Sequence, residues 1–272
     1  MMEYKIYVGG VFCKTDEVIK VSNPYTGKLV ANTYLAGKAE LEKSIEKAES
    51  VKKQMANLPS FLKYEILMEI SSEIKKNKDR LALILSEESA KPLKYALGEI
   101  MRASQTFLVA AEESKRLPGE TLSIDWTPAG EGKEAYIKYF PIGIIAGIAP
   151  FNFPLNLAVH KIAPAIAAGN PIILKPSRST PLSVLELAKI IDKTKLPKGA
   201  VSILPMDRTA GNQLITDHRF SMISFTGSPP VGRKIKRDAG MKKIVLELGG
   251  NAGVIVSNSA DIDLAVAKTV AG

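Results

Sequence analysis

Residues that could do chemistry follow five short apolar runs in the second half of this sequence. The runs occupy residues 142–149, 171–174, 201–204, 222–225 and 244–246. Runs of this kind are typical of buried parallel strands, and an open parallel sheet binds its ligands beyond the carboxyl ends of its strands. We therefore expect the functional side chains in the segments that directly follow these runs.

The first and last of these segments carry candidates for oxyanion and acid–base chemistry. After the first run, Pro-Phe-Asn-Phe-Pro places the amide of Asn152 near a helix start. This amide could donate to a developing oxyanion, or Asn152 could be a helix-capping or turn residue. Glu247 follows the fifth run, within Glu-Leu-Gly-Gly. A carboxylate is costly to bury there without a task or a partner, so we predict a buried general base or a salt-bridged structural residue.

The three middle segments could bind an anion. The second run leads into a strand-end cation and its neighbours, Lys175, Ser177 and Arg178. These side chains could bind hydroxyls or phosphate, or they could form an ordinary surface loop. The third run leads into a polar turn that ends at Gly211, which is a weak signal. After the fourth run, Gly227 and Ser228 precede a predicted helix, where free backbone N–H groups favour a phosphate.

Helical patterns separate the apolar runs, at residues 154–168, 181–193, 209–217 and 231–239. This alternation predicts an α/β fold with a Rossmann-like parallel sheet and helices on both faces. Pro154 and Pro181 suit first helical positions, because proline is tolerated there. A last helix is predicted over residues 261–272.

The first half of the chain predicts a helical segment and a protruding β-hairpin. Residues 4–12 read as a short hairpin around Gly9-Gly10. Helical spacing of apolar residues then continues to residue 115, with a break at Pro59 and Ser60 as a cap. After Leu117-Pro118-Gly119, two extended segments flank a polar turn at 128–133. An isolated hairpin is marginal in water, so this one is expected to lie against something else, such as a neighbouring subunit.

Composition and charge narrow the class of protein. The 272 residues are 46% hydrophobic and 24% charged, which indicates a globular chain. The net charge is +9, but the lysines are scattered among glutamates, so we expect a solvated surface or a basic cofactor pocket rather than nucleic-acid binding. No apolar stretch is long enough to span a bilayer, and no signal pattern opens the chain.

Cysteine and histidine usage points to a reducing compartment and to no metal site. Cys13 is the single cysteine, so an internal disulfide framework is excluded. The two histidines, His160 and His218, are far apart in the sequence and form no zinc-type cluster with it. Together with the missing signal pattern, these features predict a cytoplasmic protein.

The order of the motifs resembles that of the aldehyde dehydrogenase superfamily. Along the chain, Pro-Phe-Asn-Phe-Pro is followed by Lys-Pro-Ser, Phe-Thr-Gly-Ser and Glu-Leu-Gly-Gly. The resemblance covers essentially the whole chain. It implies an oxidoreductase that converts an aldehyde to a carboxylic acid with NAD or NADP, through a cysteine thioester.

The resemblance also implies catalytic and cofactor-binding roles. Asn152 would donate to the oxyanion, Glu247 would activate the deacylating water, and Lys161 would help to relay its proton. Lys175 would bind the adenosine ribose, and the Gly227 segment would meet the pyrophosphate. The complete set of expected cofactor-binding residues is Ile148, Pro150, Phe151, Lys175, Ser177, Arg178, Gly211, Phe225, Gly227, Ser228, Val231 and Leu248.

Two departures from the family pattern bear on the activity. The nucleophilic cysteine is absent, and Cys13 cannot replace it from the opening hairpin, so this chain should not oxidise aldehydes by that mechanism. Arg178 stands where the family often has glutamate, and a cation there favours a 2′-phosphate. We predict NADP over NAD, although Arg178 could point to solvent and leave NAD bound through Lys175 alone.

Two interpretations of the chain compete. In the first it is an enzyme fragment, with residues 1–116 and 142–248 as the NAD(P)-binding domain, 117–141 as an oligomerisation hairpin and 249–272 as the start of a truncated catalytic domain. The full-length protein would then be a homo-oligomer, a dimer or a tetramer, acting on a small aldehyde with no nucleic-acid or membrane partner. In the second, the chain is a non-catalytic nucleotide-binding or assembly module that is complete as given.

Overall fold

The computed structural model of the protein describes residues 2–117 and 119–271. Met1 and Gly272, at the outer ends of the predicted domain ranges, lie outside the described residues. So does Pro118, which we expected to help break the helical pattern before the long hairpin.

The chain opens with two small antiparallel hairpins. Strands β1 (Ile6–Val8) and β2 (Val11–Cys13) form the predicted one, and Gly9 and Gly10 both have positive φ, 56° and 91°, as the primed hairpin turn requires. Strands β3 (Val18–Ser22) and β4 (Leu29–Tyr34) were not predicted. Both are short and half-exposed, so neither contributes a continuous apolar run.

Four helices form the predicted helical segment. They are α1 (Lys38–Ala56), α2 (Ser60–Lys76), α3 (Lys78–Ser89) and α4 (Leu93–Ser114). The expectation that Ser60 caps α2 is wrong. Ser60 is the first helical residue, and Pro59, with φ −59° and ψ 145°, takes the capping position without a side-chain hydrogen bond. Helix α3 ends where Ala90 adopts a left-handed conformation, and α4 begins directly after Pro92.

The long hairpin lies where the sequence predicts it. Strands β5 (Glu120–Ser123) and β6 (Glu134–Ile137) pair antiparallel, with a short 3-10 turn at Pro128–Gly130. Gly130 has to be glycine, because a Cβ there would lie 1.9 Å from the carbonyl oxygen of Ile124. The aromatic rings of Trp126 and Tyr136 are largely exposed.

The second half of the chain alternates strands and helices as predicted. The strands are β7 (Ile144–Ile148), β8 (Ile172–Lys175), β9 (Val201–Ile203), β10 (Phe220–Gly227) and β11 (Lys243–Leu248). The helices are α5 (Pro154–Ala167), α6 (Leu182–Ile191), α7 (Arg208–Thr216), α8 (Pro229–Asp238) and α9 (Ile262–Ala271). Pro154 is the first helical residue of α5 as expected, whereas Pro181 precedes α6 as its capping residue.

Within the described residues, seven strands form the central sheet in the order β11-β10-β7-β8-β9-β1-β2. Strands β7 to β11 are parallel, which confirms the predicted Rossmann-like sheet. The opening hairpin extends that sheet, because Tyr7 of β1 pairs antiparallel with Ile203 of β9. Sequence reasoning missed this pairing, since the two partners lie almost two hundred residues apart.

Helices cover both faces of the sheet. On β8, Ile172 and Leu174 point into a core shared with α2, α4, α5 and α6, whereas Ile173 points into a second core shared with α1, α7 and α8. The edge strand β11 is less covered, and Val245 is 51% exposed. None of the helices in the described part of the chain combines the length and the apolar character needed to cross a lipid bilayer.

Candidate functional site

The sheet register brings five of the predicted residues to one edge. Ile148, the last residue of β7, pairs with Lys175 of β8 on one side and with Phe225 of β10 on the other. Gly227 of β10, two residues after Phe225, pairs with Leu248 of β11. All these positions lie at the carboxyl ends of parallel strands, where ligands bind in open α/β sheets.

A basic cavity of about 660 Å³ lies beyond the ends of β8 and β9. Its lining residues are Lys175, Ser177, Arg178, Ser179, Met206, Asp207, Arg208 and Thr209. Burial lowers the pKa of Lys175, and the charge of Arg178 lowers it further. Several cations therefore converge on one small volume, which suits an anionic group.

Arg208 is a candidate that sequence reasoning missed. It is the first residue of α7, directly after Asp207, whose Oδ1 accepts the backbone N–H of Ala210 at 2.7 Å. That capping bond fixes the turn and so places Arg208 on the cavity wall. The strand–Asp–helix pattern in the sequence was the available signal, because Asp is a preferred helix cap.

Gly211 contacts Lys175 rather than lining the cavity itself. A Cβ at Gly211 would lie 2.8 Å from Cε and 3.0 Å from Cδ of Lys175. The missing side chain therefore gives the lysine stem room to run past the first turn of α7. Gly211 is thus placed to act through Lys175.

Gly211→Ala is expected to weaken binding at the basic cavity without unfolding the protein. The added methyl group displaces the Lys175 stem, so the affinity of the cavity for a phosphate-bearing probe such as 2′,5′-ADP should fall about 5- to 10-fold, as for one lost hydrogen bond. Alanine also favours the helix over glycine by about 1 kcal/mol, so stability should not fall. Calorimetric titration and thermal unfolding measure both. Gly98→Ala in α4 is the matched control, since a Cβ there meets nothing within 4 Å; equal affinity losses in both variants would contradict the assignment.

Ser177 and Arg178 occupy the loop after β8. The Ser177 hydroxyl lies 2.9 Å from that of Ser179, and it also accepts the Ser179 backbone N–H at 3.3 Å. Arg178 is exposed at the rim of the cavity. The loop is therefore ordered by its own serines, while the guanidinium stays available.

The start of α8 offers fewer anion-binding donors than we expected. Its first two residues are Pro229 and Pro230, and proline has no backbone N–H. Ser228, the exposed capping residue, and Val231 supply the remaining N–H groups of this turn. Gly227 has to be small, because a Cβ would lie 2.5 Å from the ring of Phe225.

Lys161 lies close enough to Glu247 to interact with its charge, and it is bonded to the neighbouring Thr226. The Nζ of Lys161 donates to the Thr226 hydroxyl at 2.7 Å, and Thr226 is the register partner of Glu247. Lys161 is only 5% exposed, and its stem crosses Gly147 of β7. Burial lowers the pKa of Lys161 to about 8, while the negative charge of Glu247 opposes that shift. The structure therefore joins two residues that lie 86 positions apart in the sequence.

Glu247 itself is exposed, so the expectation of a buried carboxylate is wrong. It lies on the edge strand β11, on the face that the described residues leave open beside Val245. No salt bridge to Glu247 is found among residues 2–117 and 119–271.

Asn152 lies in an exposed loop between β7 and α5, with Pro150 and Phe151 beside it. Its carbonyl oxygen accepts a hydrogen bond from Nζ of Lys91 at 2.8 Å. The capping alternative is wrong, since Phe153 holds the capping position of α5 and makes no side-chain bond. The loop is therefore held by its backbone, and the side-chain amide takes no part in capping.

Cys13 lies at the opposite edge of the sheet from Glu247. It ends β2, and five strands separate β2 from β11 in the sheet order. At ordinary strand spacing the two edge strands are roughly 29 Å apart. Burial raises the pKa of the Cys13 thiol, which disfavours the thiolate. Cys13 therefore cannot supply a nucleophile to this site.

Comparison with known proteins gives a consistent result. The model of the aldehyde dehydrogenase family matches residues 12–272. The chain is 36% identical over 264 residues to the 3-sulfolactaldehyde dehydrogenase of Priestia aryabhattai, covering 97% of this chain and 55% of that protein. It is 40% identical over 261 residues to the lactaldehyde dehydrogenase of Methanocaldococcus jannaschii, covering 94% and 55%.

A solved structure agrees with these relatives. The NADP-dependent glyceraldehyde-3-phosphate dehydrogenase of Bacillus halodurans, complexed with NADP, superposes with a TM-score of 0.96 at 30% identity, covering 100% of this chain and 58% of that one. The chain thus spans little more than half the length of the relatives it matches. By sequence and by fold, the chain belongs to the aldehyde dehydrogenase family.

Proposed function

We propose that this chain is the cofactor-binding part of an NADP-dependent enzyme that oxidises an aldehyde to a carboxylic acid. One observation carries the proposal: the basic cavity at Lys175 and the group formed by Lys161, Thr226 and Glu247 lie at the same edge of the parallel sheet. The nucleophilic thiolate would come from outside residues 1–272, because Cys13 lies at the far edge of the sheet.

The residues at this edge fit a dinucleotide. Lys175 and Ser177 would bind the adenosine ribose, and Arg178 with Arg208 would bind the 2′-phosphate that distinguishes NADP. Ser228 and the Val231 turn would face the pyrophosphate and the adenine. The path to the nicotinamide would be lined by Ile148, Pro150, Phe151, Phe225 and Leu248. When bound, the nicotinamide supplies the oxidising equivalent.

The chain's own residues would then handle charge and protons. The side-chain amide of Asn152 would donate to the substrate oxygen as negative charge develops on it. Exposed Glu247 would take a proton from the deacylating water. Lys161, held by Thr226, would stabilise that carboxylate and relay the proton inward, which its lowered pKa permits.

The organisation of the whole protein is part of the proposal. Residues 1–116 and 142–248 would bind the cofactor, and 249–272 would begin the catalytic domain that covers the open face of β11. The hairpin at 117–141 would join another subunit in a homodimer or homotetramer, since it presents the exposed rings of Trp126 and Tyr136.

Calorimetric titration of the 272-residue chain with NADP⁺ and NAD⁺ tests the proposal. We expect both to bind, with NADP⁺ tighter, and we expect no NADPH absorbance when an aldehyde is added. If circular dichroism shows a folded chain that binds neither dinucleotide, the cofactor-binding proposal fails. Aldehyde-dependent NADPH formation by the purified chain would instead contradict the absence of a nucleophile.

Lys161 is expected to titrate near pH 8, as its lowered pKa of about 8 indicates. Between this pH and the ordinary lysine range the unfolded chain binds more protons than the folded one. The free energy of unfolding therefore increases as pH rises from about 8 to the ordinary lysine range. Below about pH 8, Lys161 is charged in both states, and the folded chain bears the full cost of burying that charge. Lysine ε-carbon NMR measures the titration directly. Glu247→Gln should lower the Lys161 pKa further; an unchanged midpoint would contradict their interaction.

A further inference from the structure

Two buried glutamates of the helical segment cap two helices that pack against the parallel sheet. Helices α5 and α6 have no capping side chain of their own. Glu99 of α4 accepts the backbone N–H groups of Leu155 and Asn156, at 3.0 Å and 3.1 Å. Glu88 of α3 accepts those of the first two residues of α6, at 2.6 Å and 3.0 Å. The carboxylates thus serve as N-caps from distant elements, where the helix dipole favours negative charge.

The two caps differ in their cationic partners. Glu99 forms an ion pair with Nζ of Lys91 at 2.5 Å. Glu88 has no ion pair among residues 2–117 and 119–271, and burial raises its pKa to about 7. The presence of Lys91 at one cap and not at the other indicates a task specific to the α5 end.

Lys91 extends the Glu99 cap into the loop before α5. Its Nζ also donates to the carbonyl oxygen of Asn152 at 2.8 Å, and it lies 3.9 Å from the ring centre of Phe153. One ammonium group therefore binds the cap, the loop backbone and an aromatic ring at once. Within residues 2–117 and 119–271, Asn152 makes these contacts through its backbone, and its side-chain amide has no hydrogen-bond partner.

We propose that Lys91 and Glu99 are a positioning pair for the catalytic loop at 150–153. Glu99 holds the first turn of α5, and Lys91 holds the peptide that follows Asn152. The side chain of Asn152 therefore extends from a fixed backbone position, and its amide makes no hydrogen bond to the described residues. The inference rests on the proposed function for its consequence, since the loop would carry the oxyanion donor and border the nicotinamide. The geometry itself does not depend on that function.

Hydrogen exchange on the whole chain tests the positioning directly. In Lys91→Met, the amides of Leu155 and Asn156 should exchange about ten-fold faster, because Glu99 and the loop before α5 lose a hydrogen bond to a charged group. Lys94→Met is the matched control, because Lys94 lines the same groove beside Phe153. Unchanged exchange at Leu155 and Asn156 in Lys91→Met, or equal changes in both variants, would overturn the proposal.

The two glutamates provide a second comparison. Glu99→Gln should speed exchange at Leu155 and Asn156 and leave α6 unchanged, whereas Glu88→Gln should act on α6 alone. Circular dichroism detects a glutamate variant that unfolds. In that case the comparison of Lys91→Met with Lys94→Met still tests the proposal. Equal loosening of both helices by either substitution would show that the carboxylates only stabilise the core and do not position a particular loop.

A binding comparison separates positioning from general stability. The probes are NADP⁺ and 2′,5′-ADP, which lacks the nicotinamide half. Lys91→Met should weaken NADP⁺ about 3- to 10-fold and 2′,5′-ADP less than about two-fold, because a disordered loop adds an ordering cost only at the nicotinamide end. Lys91→Arg, which keeps the charge and the donors, should restore both the affinity and the protection.

The outcomes distinguish this inference from the proposed function. If the wild-type chain binds neither probe, the proposed function fails while hydrogen exchange still reports on the loop. If the wild-type chain binds both probes and Lys91→Met weakens them equally, the positioning pair fails while the cofactor site stands.

Discussion

Arg178→Glu is expected to reverse the cofactor preference that we propose for this chain. The guanidinium lies at the rim of the basic cavity with Lys175 and Arg208, where it can bind a 2′-phosphate. Loss of a hydrogen bond to a charged group costs about 1.5–3 kcal/mol, or roughly 10- to 150-fold in NADP⁺ affinity. The new carboxylate also repels the phosphate and can accept the ribose hydroxyls of NAD⁺. Calorimetric titration with both dinucleotides measures the reversal.

Arg116→Glu is the matched control, because it makes the same change in net charge. Arg116 lies at the exposed end of α4, where it pairs with Glu112 and Glu113. It should alter both affinities slightly and equally, through the long-range field alone. If Arg178→Glu weakens NADP⁺ no more than Arg116→Glu does, Arg178 points to solvent, and the NAD alternative with Lys175 alone is correct.

Phe107→Ala is expected to destabilise the protein by about 3–5 kcal/mol, the usual cost of removing a buried phenyl ring and leaving a cavity. Phe107 is 0% exposed and lies on α4, in the core shared with α2 and α5. Since α4 also carries Glu99, the loosened helix should release the first turn of α5. Urea unfolding followed by circular dichroism measures the loss.

Val109→Ala on the same helix is the control for Phe107→Ala. Val109 is 53% exposed, so its truncation removes little buried area and should cost less than about 0.5 kcal/mol. A loss below about 1 kcal/mol in Phe107→Ala would mean that the core around α4 collapses to fill the space. The helical segment would then be a weaker support for the site than the packing indicates.

Much of the candidate site follows from local sequence. Asn152, Lys175, Gly227 and Glu247 each lie within three residues of the end of an apolar run, and a parallel sheet aligns the ends of such runs whatever lies between them. The positions of these residues at one edge were therefore predictable, as was the alternation of strands and helices. The element bounds shifted by one or two residues where pairing partners, as at β10, extended a strand beyond its apolar core.

Other features depended on contacts that no local pattern reports. The exposure of Glu247 follows from its place on an edge strand, and the remoteness of Cys13 follows from the antiparallel addition of β1 and β2 at the opposite edge. The Lys161–Thr226 bond joins a helix to a strand across β7. To predict any of these features one has to know the order of the strands in the sheet, and no local sequence pattern reports that order.

The sequence by itself determined the fold class, the family and the strand-end positions of the site, because periodicity, turn residues and motif order are properties of neighbouring residues. The tertiary structure alone decided which distant side chains support that site. The sequence predicted no role for Glu99 in its helical pattern or for Lys91 in the break after α3, and only folding placed them against the N-terminus of α5 and the backbone carbonyl of Asn152. The physical reason is that burial and long-range hydrogen bonding are set only when the layers pack together.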